Sequence, residues 1–147
     1  MRDRIVCVSG GFDPIHIGHL RYIQDAARHG KVVVLLNSDA WLLRKKGYVF
    51  MAFDERKAII EELKSVRAVV EVDDEDNTVC SGITQVKPDI FAKGGDRGPE
   101  NTPEQETCGH LGIDVIFGVG GDDKLQASSR LVEQAIQSKL ISHGIVR

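Results

Sequence analysis

Two histidines, His16 and His19, stand three residues apart in the run Gly10-Gly11-Phe12-Asp13-Pro14-Ile15-His16-Ile17-Gly18-His19-Leu20. At that spacing on the first turn of a helix, both imidazoles fall near one face. The residues before them, Arg4-Ile5-Val6-Cys7-Val8-Ser9, read as a short buried strand. Those after them, Leu20, Ile23, Ala26 and Ala27, recur at helical spacing. The run is therefore a strand-to-helix turn, where unpaired amides and the positive end of the helix dipole favour an anion. Gly10 and Gly11 lack the Cβ atoms that would keep a phosphate off the backbone. Two imidazoles beside such amides can stabilise charge developing on a phosphoryl oxygen. Taken alone, the two histidines serve equally well as surface or capping residues.

Other chemistry-bearing residues are set by the alternation of elements. Lys31 to Leu36 is a continuous apolar, β-branched run, as in a strand covered on both faces. Asn37-Ser38-Asp39 caps a short helix leading to the basic loop Arg44-Lys45-Lys46-Gly47. Asp54 is the expected N-cap of a helix carrying Arg56. Ala68 to Val72 makes a third strand, followed by Asp73-Asp74-Glu75-Asp76, read as a solvated acidic loop. Asp89 to Ala92 makes a fourth, followed by Lys93-Gly94-Gly95-Asp96. Thr102-Pro103 opens a helix, with Pro at its first position. Ile113 to Phe117 is a fifth strand. A glycine-rich loop with Lys124 then leads to Ser128 and Ser129 and a last helix, whose inner face is expected at Leu131, Val132, Ala135 and Ile136.

Strands alternating with helices predict a Rossmann-like three-layer α/β/α domain with a five-stranded parallel sheet over residues 1–147. In such sheets ligands sit beyond the carboxyl ends of the strands. The suggestive loops all fall there.

Composition narrows the partners. The chain has 147 residues, 41% apolar and 28% charged, with a net charge of −3, an ordinary globular balance. That charge gives no basic surface for nucleic acid, and the apolar runs are too short to span a membrane. No signal peptide is evident. Cys7, Cys80 and Cys108 fit neither a disulfide framework nor a zinc spacing, so a reducing cytoplasm is the expected location. P-loop, dinucleotide-binding and Gly-x-Ser-x-Gly patterns are missing.

Phe12 to His19 resembles the His-x-Gly-His signature of the nucleotidyltransferase (cytidylyltransferase-like) superfamily. Lys46-Gly47 followed by Asp54-Glu55-Arg56 looks like that family's loop lysine and helix arginine. Phe91 to Asp96 is similar to a stretch of ADP-heptose synthase adenylyltransferase domains, and Ala127 to Val132 to the Ser/Thr-rich helix start shared with glycerol-3-phosphate cytidylyltransferases. The resemblance implies transfer of a nucleoside monophosphate from an NTP to a phosphorylated sugar or polyol, releasing pyrophosphate and using Mg²⁺. By resemblance His16, His19 and Lys46 are catalytic. Gly10, Gly11, Phe12, Asp13, Gly18, Lys93, Gly95, Asp96, Lys124, Ser128 and Ser129 bind the nucleotide, and Asp39 and Arg56 the acceptor. No resident metal ligands are expected. Homodimers are common in the family, so a dimer is an expectation of the resemblance alone. Tyr48 to Met51 departs from the heptose-type pattern and Gly120 to Lys124 from the cytidylyltransferase one, so ATP and CTP both stay open. Two rivals remain: a pantetheine- or nicotinamide-type adenylyltransferase, and a nucleotide-binding regulatory module without chemistry.

Overall fold

β-Branched and apolar runs between helices form five parallel strands in the order β3-β2-β1-β4-β5. The computed structural model describes residues 2–94, 102–121 and 127–146. The strands are β1 (Ile5–Gly10), β2 (Lys31–Leu36), β3 (Val66–Glu71), β4 (Ile90–Gly94) and β5 (Asp114–Val119). The helices are α1 (Ile17–Ala26), α2 (Asp39–Lys46), α3 (Phe53–Glu61), α4 (Cys80–Val86), α5 (Pro103–Leu111) and α6 (Ser128–Ser142). Alternate residues of the sheet feed two apolar layers. Val6, Val8, Val32 and Val34 pack with Ile23 and Ala26 of α1 and Ile60 of α3. Cys7, Val33, Leu35 and Phe91 pack on the other side with Ile83 of α4 and Cys108 of α5. This is the expected three-layer α/β/α arrangement. No helix among the described residues is long and apolar enough to cross a membrane.

The order of the strands reverses between β1 and β4, and that is where a parallel sheet opens a crevice. The two strands pair only at Val6–Ile90 and Cys7–Phe91. Beyond those pairs Tyr22, reaching from α1, stands between them. Its hydroxyl accepts the Ser9 amide at 3.3 Å and donates to the Ala92 carbonyl. The split therefore leaves those backbone groups satisfied while holding the strand ends apart.

Several local expectations change. α3 is capped at Ala52 with no side-chain hydrogen bond, and Asp54 lies inside its first turn. At Gly30 a Cβ would lie 2.6 Å from the Arg4 carbonyl oxygen, so the position needs close backbone approach. Asp74 is not solvated. It is buried at the end of β3, taking hydrogen bonds from Asn37 Nδ2, the Ser38 amide and the Ser38 hydroxyl. It thereby fixes the loop that starts α2, whose cap is the Ser38 hydroxyl on the Trp41 amide. On α6, Leu131 and Val132 are half-buried but Ala135 and Ile136 are exposed, so the expected inner face covers only the helix start.

Candidate active site

The split between β1 and β4 forms the floor of a cleft of about 540 Å³, within the usual range for a small-molecule site. Its lining includes Ser9 and Gly10 from β1, Gly18 from α1, Trp41 and Lys46 from α2, and Gly120 after β5.

His16 and His19 lie together in this cleft. His16 is the N-cap of α1: its Nδ1 accepts the Gly18 amide at 3.0 Å. His19 Nδ1 accepts the His16 amide at 3.1 Å, closing a reciprocal cap in which imidazoles replace the usual hydroxyl and carboxylate. The rings stack with centroids 3.8 Å apart. Because a backbone N–H can only donate, both Nδ1 atoms are acceptors, and each neutral ring carries its proton on Nε2. Burial first, then the neighbouring charge positions of His16 and Lys46, push the His19 pKa down to about 3. His19 is thus a neutral hydrogen-bond donor at physiological pH. Phe12 supports it, ring to ring at 4.7 Å, from a left-handed backbone position (φ 51°) in the core.

Lys46 Nζ reaches the Asp13 carbonyl at 3.2 Å from the end of α2, and burial pulls its pKa below the ordinary lysine value. Ser128 donates to the Pro14 carbonyl at 2.7 Å, which ties the start of α6 to the histidine turn. Ala127 caps α6 without a side-chain hydrogen bond, and Ser129 lines the cleft beside it. Lys93 reaches the cleft from β4, its Nζ 3.3 Å from the Thr102 hydroxyl at the start of α5.

Four of the expected contact residues have other partners, three through hydrogen bonds and Gly11 through packing. Arg56 is 1% exposed and donates to the carbonyls of Met51, Gly11 and Asn37 and to Asp39 Oδ1. It staples three loops together and does not line the cleft, so it is not placed to hold an acceptor phosphate. Asp39 is its counter-ion and is also not among the lining residues. Asp13 is fully buried, and its two oxygens take the Phe50 and Met51 amides at 2.7 and 2.6 Å. It shapes the loop after α2 and has no oxygen turned to a nucleotide. Gly11 is not among the lining residues, and a Cβ there would lie 2.8 Å from Leu42 Cδ2. Gly18 does line the cleft, but its amide is spent on His16. Gly95, Asp96 and Lys124 lie outside the described residues.

The cleft also contains residues that the motifs did not announce: Asn37, Trp41, Asn77, Thr102 and Glu104. Their signal in the sequence was position alone, since each sits at or just past a strand end or opens the following helix. Chemically the arrangement offers two stacked imidazoles, the His19 ring neutral, together with an ammonium and a helix start. That set suits charge on phosphoryl oxygens.

Comparison with known proteins points the same way. A family model described as "Cytidylyltransferase-like" matches residues 7–116. The bifunctional protein HldE of Geobacter metallireducens is 40% identical over 121 residues, covering 80% of this chain and 23% of the relative. That of Pelobacter propionicus is 35% identical over 136 residues, covering 89% and 28%. The chain thus spans about a quarter of the length of these relatives. The crystal structure of the lipopolysaccharide core biosynthesis protein from Thermoplasma volcanium superposes with a TM-score of 0.69 at 29% identity, over 83% of this chain and all of that one.

Proposed function

The chain belongs to the cytidylyltransferase-like family, and from that membership we propose that it transfers a nucleoside monophosphate from an NTP to a phosphorylated sugar or polyol. The observation that carries this reading is the reciprocal cap of His16 and His19, which makes an acceptor of each Nδ1 and stacks the two imidazoles in the cleft with Lys46.

In this reading the NTP lies with its α-phosphate against the two imidazoles. An oxygen of the acceptor's phosphate attacks the α-phosphorus, the bond to the bridging oxygen of the β-phosphate breaks, and pyrophosphate leaves. The nucleophile is already an anion, so no side chain need remove a proton and no covalent enzyme intermediate forms. Catalysis is positioning and charge stabilisation. His16 and His19 donate to the α-phosphate oxygens as they gain charge, and Lys46 neutralises the same region. The amides that begin α6 receive the departing phosphates beside Ser128 and Ser129.

Mg²⁺ enters this reading as part of the substrate. Among the described residues no three or more His, Cys, Asp or Glu are gathered to hold a metal, and Asp13 is spent on backbone amides. That donor set fits an ion carried by the triphosphate oxygens, whose charge it neutralises.

The kinship with HldE supports a sugar phosphate over pantetheine or nicotinamide acceptors. Neither ATP nor CTP is favoured by the described residues. Pyrophosphate release across a panel of NTPs and sugar or polyol phosphates tests the reading; a folded protein that binds NTP and turns over with no pair would refute it.

A further inference from the structure

Asp25 stands in the last turn of α1, where the negative end of the helix dipole disfavours a carboxylate. It is partly exposed and does not line the cleft. Its Oδ2 accepts the Gly120 amide at 2.8 Å, a bond between residues 95 apart in sequence. That amide is the largest cause holding the Asp25 carboxyl below its ordinary value. On the outer side Oδ1 takes Arg28 Nη1 at 3.1 Å. A carboxylate placed badly for its own helix therefore has its strongest partner on the chain leaving β5.

Gly120 follows directly on β5 and lines the cleft. Its backbone is left-handed, with φ 90°, and a Cβ there would lie 3.0 Å from Tyr22 Cα. Tyr22 and Asp25 are three residues apart, on one face of α1. The chain is thus pressed onto that face at Tyr22 and hydrogen-bonded to it at Asp25. At the far end of the same connection, Ser128 donates to the Pro14 carbonyl, just before α1 begins. The β5–α6 connection is therefore tied near both ends of one helix, which is about 15 Å long. That helix carries His16 and His19 at its start. With α1 as the spacer, the Asp25 bond sets where Gly120 and Gly121 stand relative to the two imidazoles. A bond from an amide to a carboxylate is stronger than one to a neutral oxygen.

We infer that Asp25 is a positioning residue for the nucleotide: through the Gly120 amide it holds the β5–α6 connection where an NTP meets it, without touching the ligand itself. The inference rests on the nucleotidyl-transfer reading, in which the departing phosphates are received at the start of α6.

Trp41, the chain's single tryptophan, lines the cleft and reports binding by its fluorescence. Mg²⁺ complexes of ATP and CTP, and glycerol 3-phosphate and mannose 1-phosphate, are titrated into wild type, Asp25→Ala, Asp25→Asn and Arg28→Ala. Asp25→Ala is expected to weaken binding of the preferred nucleotide about tenfold and to leave sugar- or polyol-phosphate binding within about twofold. Asp25→Asn, which still offers an oxygen to the Gly120 amide, recovers most of the loss. Arg28→Ala removes the outer ion pair but not the Gly120 bond, and stays within about twofold of wild type. If Asp25→Ala does not fold, Asp25→Ser makes the same comparison. Unchanged nucleotide binding in Asp25→Ala overturns the inference, as does equal weakening of both ligands, a loss in Arg28→Ala as large as in Asp25→Ala, or a wild type that binds neither nucleotide. Pyrophosphate release separates the two readings. Turnover with an unaltered NTP KM in Asp25→Ala ends this inference alone; NTP binding that depends on Asp25 without any turnover upholds it and refutes the transfer.

Discussion

The backbone amide of His16 donates to Nδ1 of His19, while His16 Nδ1 takes the amide of Gly18. Helix capping and side-chain chemistry are thus the same hydrogen bonds. The cap fixes each ring's tautomer, and the tautomer determines what the ring can offer a phosphate. Asparagine also caps helices well but has no Nε2. His16→Asn is therefore expected to hold its melting temperature near the wild-type value while kcat falls about 10²-fold or more. His19→Ala should lose a similar factor and also about 1 kcal/mol of stability, measured by urea denaturation. A His16→Asn enzyme with full kcat would sever the cap from the chemistry.

The depressed pKa of His19 predicts a particular acid response. The unfolded chain binds a proton near the ordinary histidine value of 6.5, whereas the folded ring resists it until about 3. Between those values the unfolded state holds more protons, so His19 makes stability fall as pH drops through the window, with no further contribution below it. Side-chain NMR should show His19 as the neutral Nε2–H tautomer from pH 8 down to about 4. A titration near 6.5 would contradict the geometry.

By resemblance Asp13 is a nucleotide contact and Arg56 an acceptor contact, whereas in the fold both are taken up by loop hydrogen bonds. Replacing Arg56 with Met strands the carbonyls of Met51, Gly11 and Asn37 and leaves Asp39 without its cation. The expected cost is on the order of 3 kcal/mol, read as a lower denaturation midpoint. No selective rise in acceptor KM should accompany it in protein that remains folded. Such a rise at unchanged stability would return Arg56 to the acceptor site.

Gly30 offers a test of the fold away from the cleft. The Gly30→Ala methyl would meet the Arg4 carbonyl at 2.6 Å, where β2 starts beside β1. A loss of about 1–3 kcal/mol is expected, with kcat per folded molecule unchanged.

What was legible follows from how local the cause is. β2 was readable because all of Val32 to Leu36 is buried. α5 was readable because its Thr102 cap and Pro103 lie within one turn. The histidine turn was readable because strand, turn and helix are contiguous. Asp74, Arg56 and Tyr22 were not. Asp74 is buried only because β3 brings it under the loop before α2. The four partners of Arg56 come from three separate loops, and Tyr22 bridges β1 and β4, strands about 80 residues apart in sequence. α6 misled for the opposite reason: its apolar spacing is real, but only its start meets the rest of the described chain closely enough to be covered.

The most direct test of the central claim is ³¹P NMR of the protein incubated with Mg²⁺, an NTP and a sugar phosphate. The account predicts pyrophosphate and a new diphosphate linking the nucleoside monophosphate to the acceptor, formed in equal amounts, and slowed about 10²-fold or more in His16→Asn and in His19→Ala. NTP binding without either product for any NTP and acceptor pair, or undiminished product formation in both histidine variants, would contradict it.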